Sequence, residues 1–396
     1  MRIGIDACCW SNRRGFGRFT RELITHMVGE FPGHDFILIM DRQTAQAYEF
    51  PAGARIEVVD TRRQPTQAAA VDSARSPADL WRMSRAVSRQ TLDVFFFPAV
   101  YSFYPILRKI PTVVTFHDAI PESQPELIFP GLRSRLFWNL KVRLALRQAD
   151  RILTVSENAR SQIATAFHYP ESSIHVIEEG PDACFQPIDD REMILCVLRQ
   201  YHLPLDVPLI LYVGGISPHK NLQGLLQALA RVRQRFPAPW HLVVVGDYSN
   251  DSFYGCYEEL VALSSQLEMT ERVTFTGFVP DEHLVALYNG ATMLVLPSFN
   301  EGFGLPVVEA MACGVPVAAS RRGSLPEVVG SAGVLFDPGD HEEMASVLVR
   351  LLDDGALRQH LRAEGLHRAE RFSWKAAATK AVHLFEEMAY ATAQTA

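Results

Sequence analysis

Along the first half of the chain, short apolar runs alternate with longer stretches whose apolar positions recur every three or four residues. The runs fall at 2–6, 36–40, 55–59, 93–97, 112–116, 151–155 and 174–177. Several are rich in β-branched or aromatic residues and lack polar alternation, which suits strands covered on both faces of a parallel sheet. Helical stretches lie between many of them, such as 18–30 and 132–148. Strand–helix alternation of this kind predicts a doubly wound sheet. The pattern then restarts, with strands at 209–213, 242–245, 273–276, 293–296, 315–318 and 333–336, and helices at 222–236, 257–268, 281–288 and 306–312. Between the halves, residues 179–187 hold Gly180, Pro181 and Pro187, which break regular structure and place the linker there. Residues 66–78 are small and polar and read as a loop. The expected fold class is α/β, two Rossmann-like domains at 1–182 and 183–373. Two such domains predict a cleft lined by loops from strand carboxyl ends, where small molecules tend to bind.

Length and composition fit this picture. A chain of 396 residues that is 48% hydrophobic is too long for one ordinary core and can bury two. A formal net charge of −7 argues against a general nucleic-acid binder, so no nucleic-acid partner is expected. Cys8, Cys9, Cys184, Cys196, Cys256 and Cys313 form no Cys-x-x-Cys pair and match no zinc spacing; they read as buried small side chains in a reducing compartment. Met1 runs straight into a strand rather than a signal peptide, and no apolar run reaches membrane-spanning length. The expected location is cytoplasmic, free or peripheral to a membrane.

The most informative segment is 297–317. An apolar strand ends at Pro297, a loop with Gly302 and Gly304 follows, a helix starts near Pro306, and Gly314 stops it. The helix N-terminus offers free N–H groups to a diphosphate or a sugar oxygen, and the glycines let backbone approach a ligand. Glu301 precedes the helix and Glu309 follows eight positions later. An ionised carboxylate accepts two hydrogen bonds, which suits vicinal hydroxyls of a sugar or ribose. The alternative is a helix cap with two ordinary surface glutamates. His117 ends an apolar strand ahead of Asp118, where cleft loops begin. Ser156 and Glu157 read as the cap of the following helix, with acceptor contact as the alternative. Residues 132–151 combine Arg133, Arg135, Lys141, Arg143, Arg147 and Arg151 with Phe137 and Trp138 in helical period. That stretch is either a peripheral membrane contact or a domain helix with a solvated basic face.

The 297–317 segment resembles the Glu-x7-Glu motif of the retaining glycosyltransferases of GT-B architecture known as family 4. The resemblance covers nearly the whole chain. It takes in Gly15-Phe16-Gly17-Arg18, Phe116-His117-Asp118, Val155-Ser156-Glu157, Tyr212-Val213-Gly214-Gly215, Lys220-Asn221 and Arg371-Phe372-Ser373-Trp374, in that order. It implies that Glu301 contacts the donor sugar, Glu309 the ribose, and the backbone of Gly302, Phe303, Gly304 and Leu305 the sugar and diphosphate. It implies that Lys220 neutralises the diphosphate, that the Gly15–Gly17 loop and the Gly214-Gly215 turn lie beside it, and that His117 sits near the reacting sugar. Phe278 and Val279 fall where the family holds the base, and a helix at 374–396 is expected to return to the first domain. The chain departs from the pattern at Gly215, where relatives often carry a second cation; His219 and Arg18 are the substitutes at hand.

A nucleoside diphosphate is a fair leaving group, so charge stabilisation and positioning matter more than a strong base. The expected activity is therefore retaining, metal-independent hexosyl transfer from a nucleotide-sugar donor of the GDP-mannose or UDP-glucose type. The acceptor is a saccharide or lipid-linked saccharide in cell-surface polysaccharide synthesis, and no cofactor is expected. A nucleotide-sugar epimerase of the same architecture and a non-catalytic sugar-nucleotide-binding protein are the alternatives.

Overall fold

The computed structural model describes residues 1–62, 76–129, 131–248 and 256–395. The chain divides into two units, one made of Met1–Glu179 with Ser373–Ala396 and the other of Gly180–Phe372. In the first unit, β1 (Arg2–Asp6), β2 (Asp35–Asp41), β3 (Ala54–Val59), β4 (Val94–Phe97), β5 (Thr112–Thr115), β6 (Arg151–Thr154) and β7 (Ile174–Val176) form a sheet in the order β3-β2-β1-β4-β5-β6-β7. Every pairing is parallel. In the second unit, β8 (Leu209–Val213), β9 (His241–Val245), β10 (Val273–Gly277), β11 (Met293–Leu296), β12 (Val317–Ser320) and β13 (Gly333–Phe336) run in the order β10-β9-β8-β11-β12-β13, again all parallel. Both sheets reverse direction of growth once, between β1 and β4 and between β8 and β11. Such a reversal splays the flanking loops apart at the strand carboxyl ends and leaves a crevice there.

The central strands β4, β5, β8, β9, β11 and β12 are buried along their whole length, as runs without polar alternation should be. The edge strand β3 is largely exposed, and it is the one that carries Arg55 and Glu57. Helix Trp374–Thr395 belongs to the first unit. It packs Phe385 against Phe96 of β4, with ring centroids 5.2 Å apart, and Trp374 edge-on to Phe19 at 5.8 Å.

Several elements differ from the sequence expectation. Pro77 and Ala78 begin helix Pro77–Ser88 rather than ending a loop, because proline is well suited to a first helical turn; residues 66–75 of that expected loop lie outside the described residues. Strand β12 starts two residues later than expected. Val315 is still closing the preceding helix, its N–H donating to the Ala310 carbonyl at 2.8 Å while Gly314 sits at φ 72°, and Pro316 has no N–H for a ladder. Helices Arg191–Gln200, His341–Asp353 and Gly355–Ala369 were not predicted. Finally, Gly15–Gly17 is not a loop but the first turn of helix Gly15–Glu30.

Candidate functional site

The second unit gathers most of the expected residues around the β8/β11 reversal. The carboxyl ends of β8, β9 and β10 are each followed or closed by glycine. Gly214 N–H donates to the Val245 carbonyl at 3.0 Å and Gly246 N–H to the Gly277 carbonyl at 3.1 Å. A Cβ on Gly246 would lie 2.2 Å from the Gly214 carbonyl oxygen, so only glycine fits. The sheet edge is thereby kept as bare backbone. Tyr212, fully buried in β8, donates its hydroxyl to the Gly215 carbonyl at 2.7 Å and holds the turn in place. Burial, reinforced by the Glu301 charge, keeps that phenol protonated far above its ordinary range.

Two loops are then stitched together. After β8, Pro218–Lys220 makes a single 3₁₀ turn closed by Asn221 in the left-handed region at φ 57°. The Asn221 side-chain amide donates to the Pro297 carbonyl at 3.1 Å and the Pro338 carbonyl at 2.8 Å. The Phe299 N–H returns to the His219 carbonyl at 2.9 Å. This fixes Lys220 against the loop that follows β11. Its ammonium Nζ bridges both oxygens of Glu301 at 2.8 and 2.7 Å, and Ser298 donates to Oε1 at 2.6 Å. Ser324 Oγ supports the loop from behind, reaching the Phe303 carbonyl at 2.7 Å and the Glu301 carbonyl at 3.0 Å. Gly304 opens helix Leu305–Ala312 at φ 103°, a conformation that side chains resist, and a Cβ there would sit 2.6 Å from Leu325 Cδ2.

Glu301 and Glu309 are 8% and 3% exposed, which excludes the reading of two surface glutamates. A buried carboxylate is tolerated only when hydrogen-bonded. Glu309 Oε2 accepts the hydroxyl of fully buried Tyr288 at 2.8 Å. Phe303 turns its ring inward onto Phe372, with centroids 5.6 Å apart, leaving backbone as what its loop presents. Beyond β10, Phe278 is exposed and Val279 buried. His219 points Nδ1 at Ser217 Oγ, 3.2 Å away. At Gly215 an added Cβ meets nothing within 4 Å. Among the described residues, no three His, Cys, Asp or Glu side chains are grouped to share an ion.

The first unit holds the remaining candidates. His117 follows β5, 3.0 Å through Nε2 from the Pro98 carbonyl, edge-on to Phe19 with centroids 4.6 Å apart. A carbonyl only accepts, so Nε2 carries the hydrogen, and Nδ1 faces Glu179 Oε1 at 3.8 Å. Glu179 is buried beside it. Gly17 is forced: a Cβ would lie 2.0 Å from the Asn12 carbonyl oxygen, whereas at Gly15 it would meet open space. Arg18 lies half-buried on the same helix. Ser156 Oγ accepts the Ala159 N–H at 3.0 Å, the cap that its position predicts. Glu122, which the sequence did not single out, accepts the Trp138 indole N–H at 2.6 Å, and burial pushes its carboxyl up to about 7. The signals missed, Tyr288, Ser298, Gly246 and Glu122, are common residue types whose role depends on what folds against them, and Asn221 stood in the Lys220-Asn221 motif without a role.

Two family models match the chain, "Glycosyltransferase Family 4" over residues 13–183 and "Glycosyl transferases group 1" over residues 198–368. The chain is 37% identical over 292 residues to the O-antigen chain mannosyltransferase B of Escherichia coli, a match covering 72% of each. It is 30% identical over 290 residues to the serotype-specific mannosyltransferase WbdA of Escherichia coli, and that match spans 72% of this chain but 34% of the relative. Among solved structures, sucrose-phosphate synthase from Thermosynechococcus elongatus superposes with a TM-score of 0.77 at 21% identity, covering 99% of this chain and 100% of that one. The Anabaena protein HepE, in complex with UDP-glucose, gives 0.74 at 19% identity over 98% and 99%.

Proposed function

This chain belongs to the group 1, family 4 glycosyltransferases and is a glycosyltransferase of the GT-B type, and from that premise we propose that it transfers mannose or glucose, with retention, from a nucleoside-diphosphate sugar to a saccharide or lipid-linked saccharide. Mannose ranks first because the Escherichia coli O-antigen relative, 37% identical over 72% of each chain, is named a mannosyltransferase. The observation that carries the reading is the Lys220–Glu301 pair at the β8/β11 reversal, on a ledge of bare glycine backbone.

Without donor, each member of the pair neutralises the other in a buried place. Lys220 has three donors on one compact cation, so an entering diphosphate competes for it directly. Glu301, still held by Ser298, then turns its acceptor capacity to the hydroxyls of the donor sugar. Glu309, braced by Tyr288, takes the ribose, and the backbone of Gly302, Phe303, Gly304 and Leu305 lies against sugar and diphosphate. Gly214 and Gly215 flank the phosphates, and Phe278 and Val279 hold the base through main-chain groups. In this reading the bond from the anomeric carbon to the phosphate oxygen breaks as the acceptor hydroxyl bonds on the same face. The acceptor proton passes to the departing phosphate. In the first unit, His117 keeps Nδ1 as the nitrogen that the Pro98 bond leaves over. Lys220 and the helix N-terminus supply the charge stabilisation, and the transfer runs without a metal.

The test is thermal stabilisation by uridine, guanosine and adenosine diphosphates, in the presence of a chelator, on the wild type and on Glu309→Ala. A ligand bound only by the folded state adds about 2.7 kcal/mol at about 100 times its dissociation constant. One base stabilising the wild type and failing on the variant supports the reading. No stabilisation by any of the three refutes the assignment of the donor site. Release of an isomerised nucleotide sugar without acceptor would mark an epimerase, and an inverted product would end the claim of retention.

A further inference from the structure

Helix Leu132–Gln148 buries one side and leaves the other bare. Ser134, Trp138, Val142 and Ala145 point into the first unit. On the opposite side stand Leu132, Leu136, Phe137, Leu140 and Leu144, all exposed, the first three at 84%, 69% and 59%. Arg133, Arg143 and Arg147 are exposed among them. With 3.6 residues per turn, these eight side chains fall within an arc of roughly 140° centred opposite the buried one. Arg135 flanks the arc, and the helix carries no Asp or Glu. The inner side is firmly held. Trp138 donates to Glu122, Lys141 lies 4.4 Å from the Trp138 ring centroid, and Gln148 bonds both the N–H and the carbonyl of Ile106 at 2.9 and 2.8 Å. That last pair ties the helix end to a loop bearing exposed Leu107, Arg108 and Lys109.

We propose that this face docks on the surface of a bilayer containing anionic phospholipid. The outer face is apolar and cationic at once, in a chain whose net charge is −7. A second copy of the chain seated on it would bring arginine against arginine. Water alone leaves five large apolar side chains unburied. An anionic headgroup layer over acyl chains answers both demands, with the leucines and Phe137 in the acyl boundary and the arginines at the phosphates. Among the described residues no helix is long and apolar enough to cross a membrane, so the contact is one of lying on the surface. The inference stands apart from the donor chemistry and rests on this helix alone.

Vesicle flotation tests it, using the full chain with equal parts phosphatidylglycerol and phosphatidylcholine against phosphatidylcholine alone, at low and high salt. Two variants are compared: Arg133→Ser/Arg143→Ser/Arg147→Ser and Leu136→Ser/Phe137→Ser. All five positions are exposed, and far-UV circular dichroism with a thermal melt verifies that both variants fold. Wild type should float with the anionic vesicles only, and less at high salt. The arginine variant should lose on the order of 100-fold in partitioning, from about 1 kcal/mol per basic residue at an anionic surface. The apolar variant should lose at least about tenfold. Failure of wild type to float at low salt overturns the proposal, as does flotation that neither variant weakens. Self-association of wild type that Leu136→Ser/Phe137→Ser abolishes, without vesicle binding, would overturn it in favour of a second copy.

Discussion

Replacing Tyr288 with phenylalanine removes one oxygen from the interior of the second unit and nothing else. The ring keeps its edge-on contact with Phe185, centroids 5.7 Å apart. What is lost is the 2.8 Å bond to Glu309 Oε2, together with a marginal 3.4 Å contact to the Pro306 carbonyl. Both residues are buried, so water does not replace the lost donor. A hydrogen bond to a charged group is worth about 1.5–3 kcal/mol, and the melting temperature should fall by about 3–12 °C for a unit of this size. Scanning calorimetry reads that directly. The functional consequence is separate. Glu309 with that bond removed is held less firmly and must be ordered further when the ribose arrives, at about 0.5–1.5 kcal/mol, or roughly a two- to tenfold weaker nucleoside diphosphate. A 2′,3′-dideoxy diphosphate lacks the hydroxyls and should bind Tyr288→Phe and wild type alike. Equal loss for both nucleotides would refute the ribose role. An unchanged melting temperature would refute the energetic argument itself.

Other perturbations follow from the same contacts. Gly17→Ala drives a methyl to 2.0 Å from a backbone oxygen and should cost about 1–3 kcal/mol or more, whereas Gly15→Ala meets nothing and should gain about 0.4–1 kcal/mol; urea unfolding compares the two. Asn221→Ala leaves two buried carbonyls without their donor and should lower stability by about 2–4 kcal/mol, with Asn221→Gly recovering only the left-handed backbone. Gly215→Arg has room and no positive φ to resist it, and should tighten nucleoside diphosphate binding in a calorimetric titration without loss of stability. Glu122 titrates near 7 when folded and near 4.5 otherwise. The unfolded chain therefore loses its proton first, and about 3 kcal/mol of stability drains away as pH rises between those values. Glu122→Gln should flatten that part of the stability–pH curve and be the more stable protein above pH 7; equal slopes would refute it.

The sheets were legible because buried strands leave unbroken apolar runs, and because Pro306 and Gly314 bracket their helix by backbone chemistry that is local. The order of strands was legible only as a class. Lys220 and Glu301 stood out through flanking motifs, yet their 2.7 Å pairing depends on β8 and β11 lying side by side with β9 and β10 inserted between them in sequence. Tyr288 braces Glu309 from 21 residues earlier in the chain, and no local signal carries that. Gly246 likewise reads as one more loop glycine until the Gly214 carbonyl is set against it. Helix His341–Asp353 is absent from the sequence expectation although Met344, Ala345, Leu348, Leu351 and Leu352 make an unbroken apolar stripe at helical spacing and Asp340 caps the start with bonds of 2.9 and 3.0 Å, so both of its signals are local.

The return of helix Trp374–Thr395 to the first unit sets a timetable. A ribosome adds about 5–20 residues per second, so the roughly 190 residues of Gly180–Phe372 take about 10–40 s to emerge after the first unit's strands are complete. Throughout that interval Phe96 and Phe19 wait for Phe385 and Trp374, their apolar surface open to chaperones and to neighbouring nascent chains. The segment made second can finish folding first, and the half made first becomes whole only once Trp374–Thr395 has emerged to pack on it.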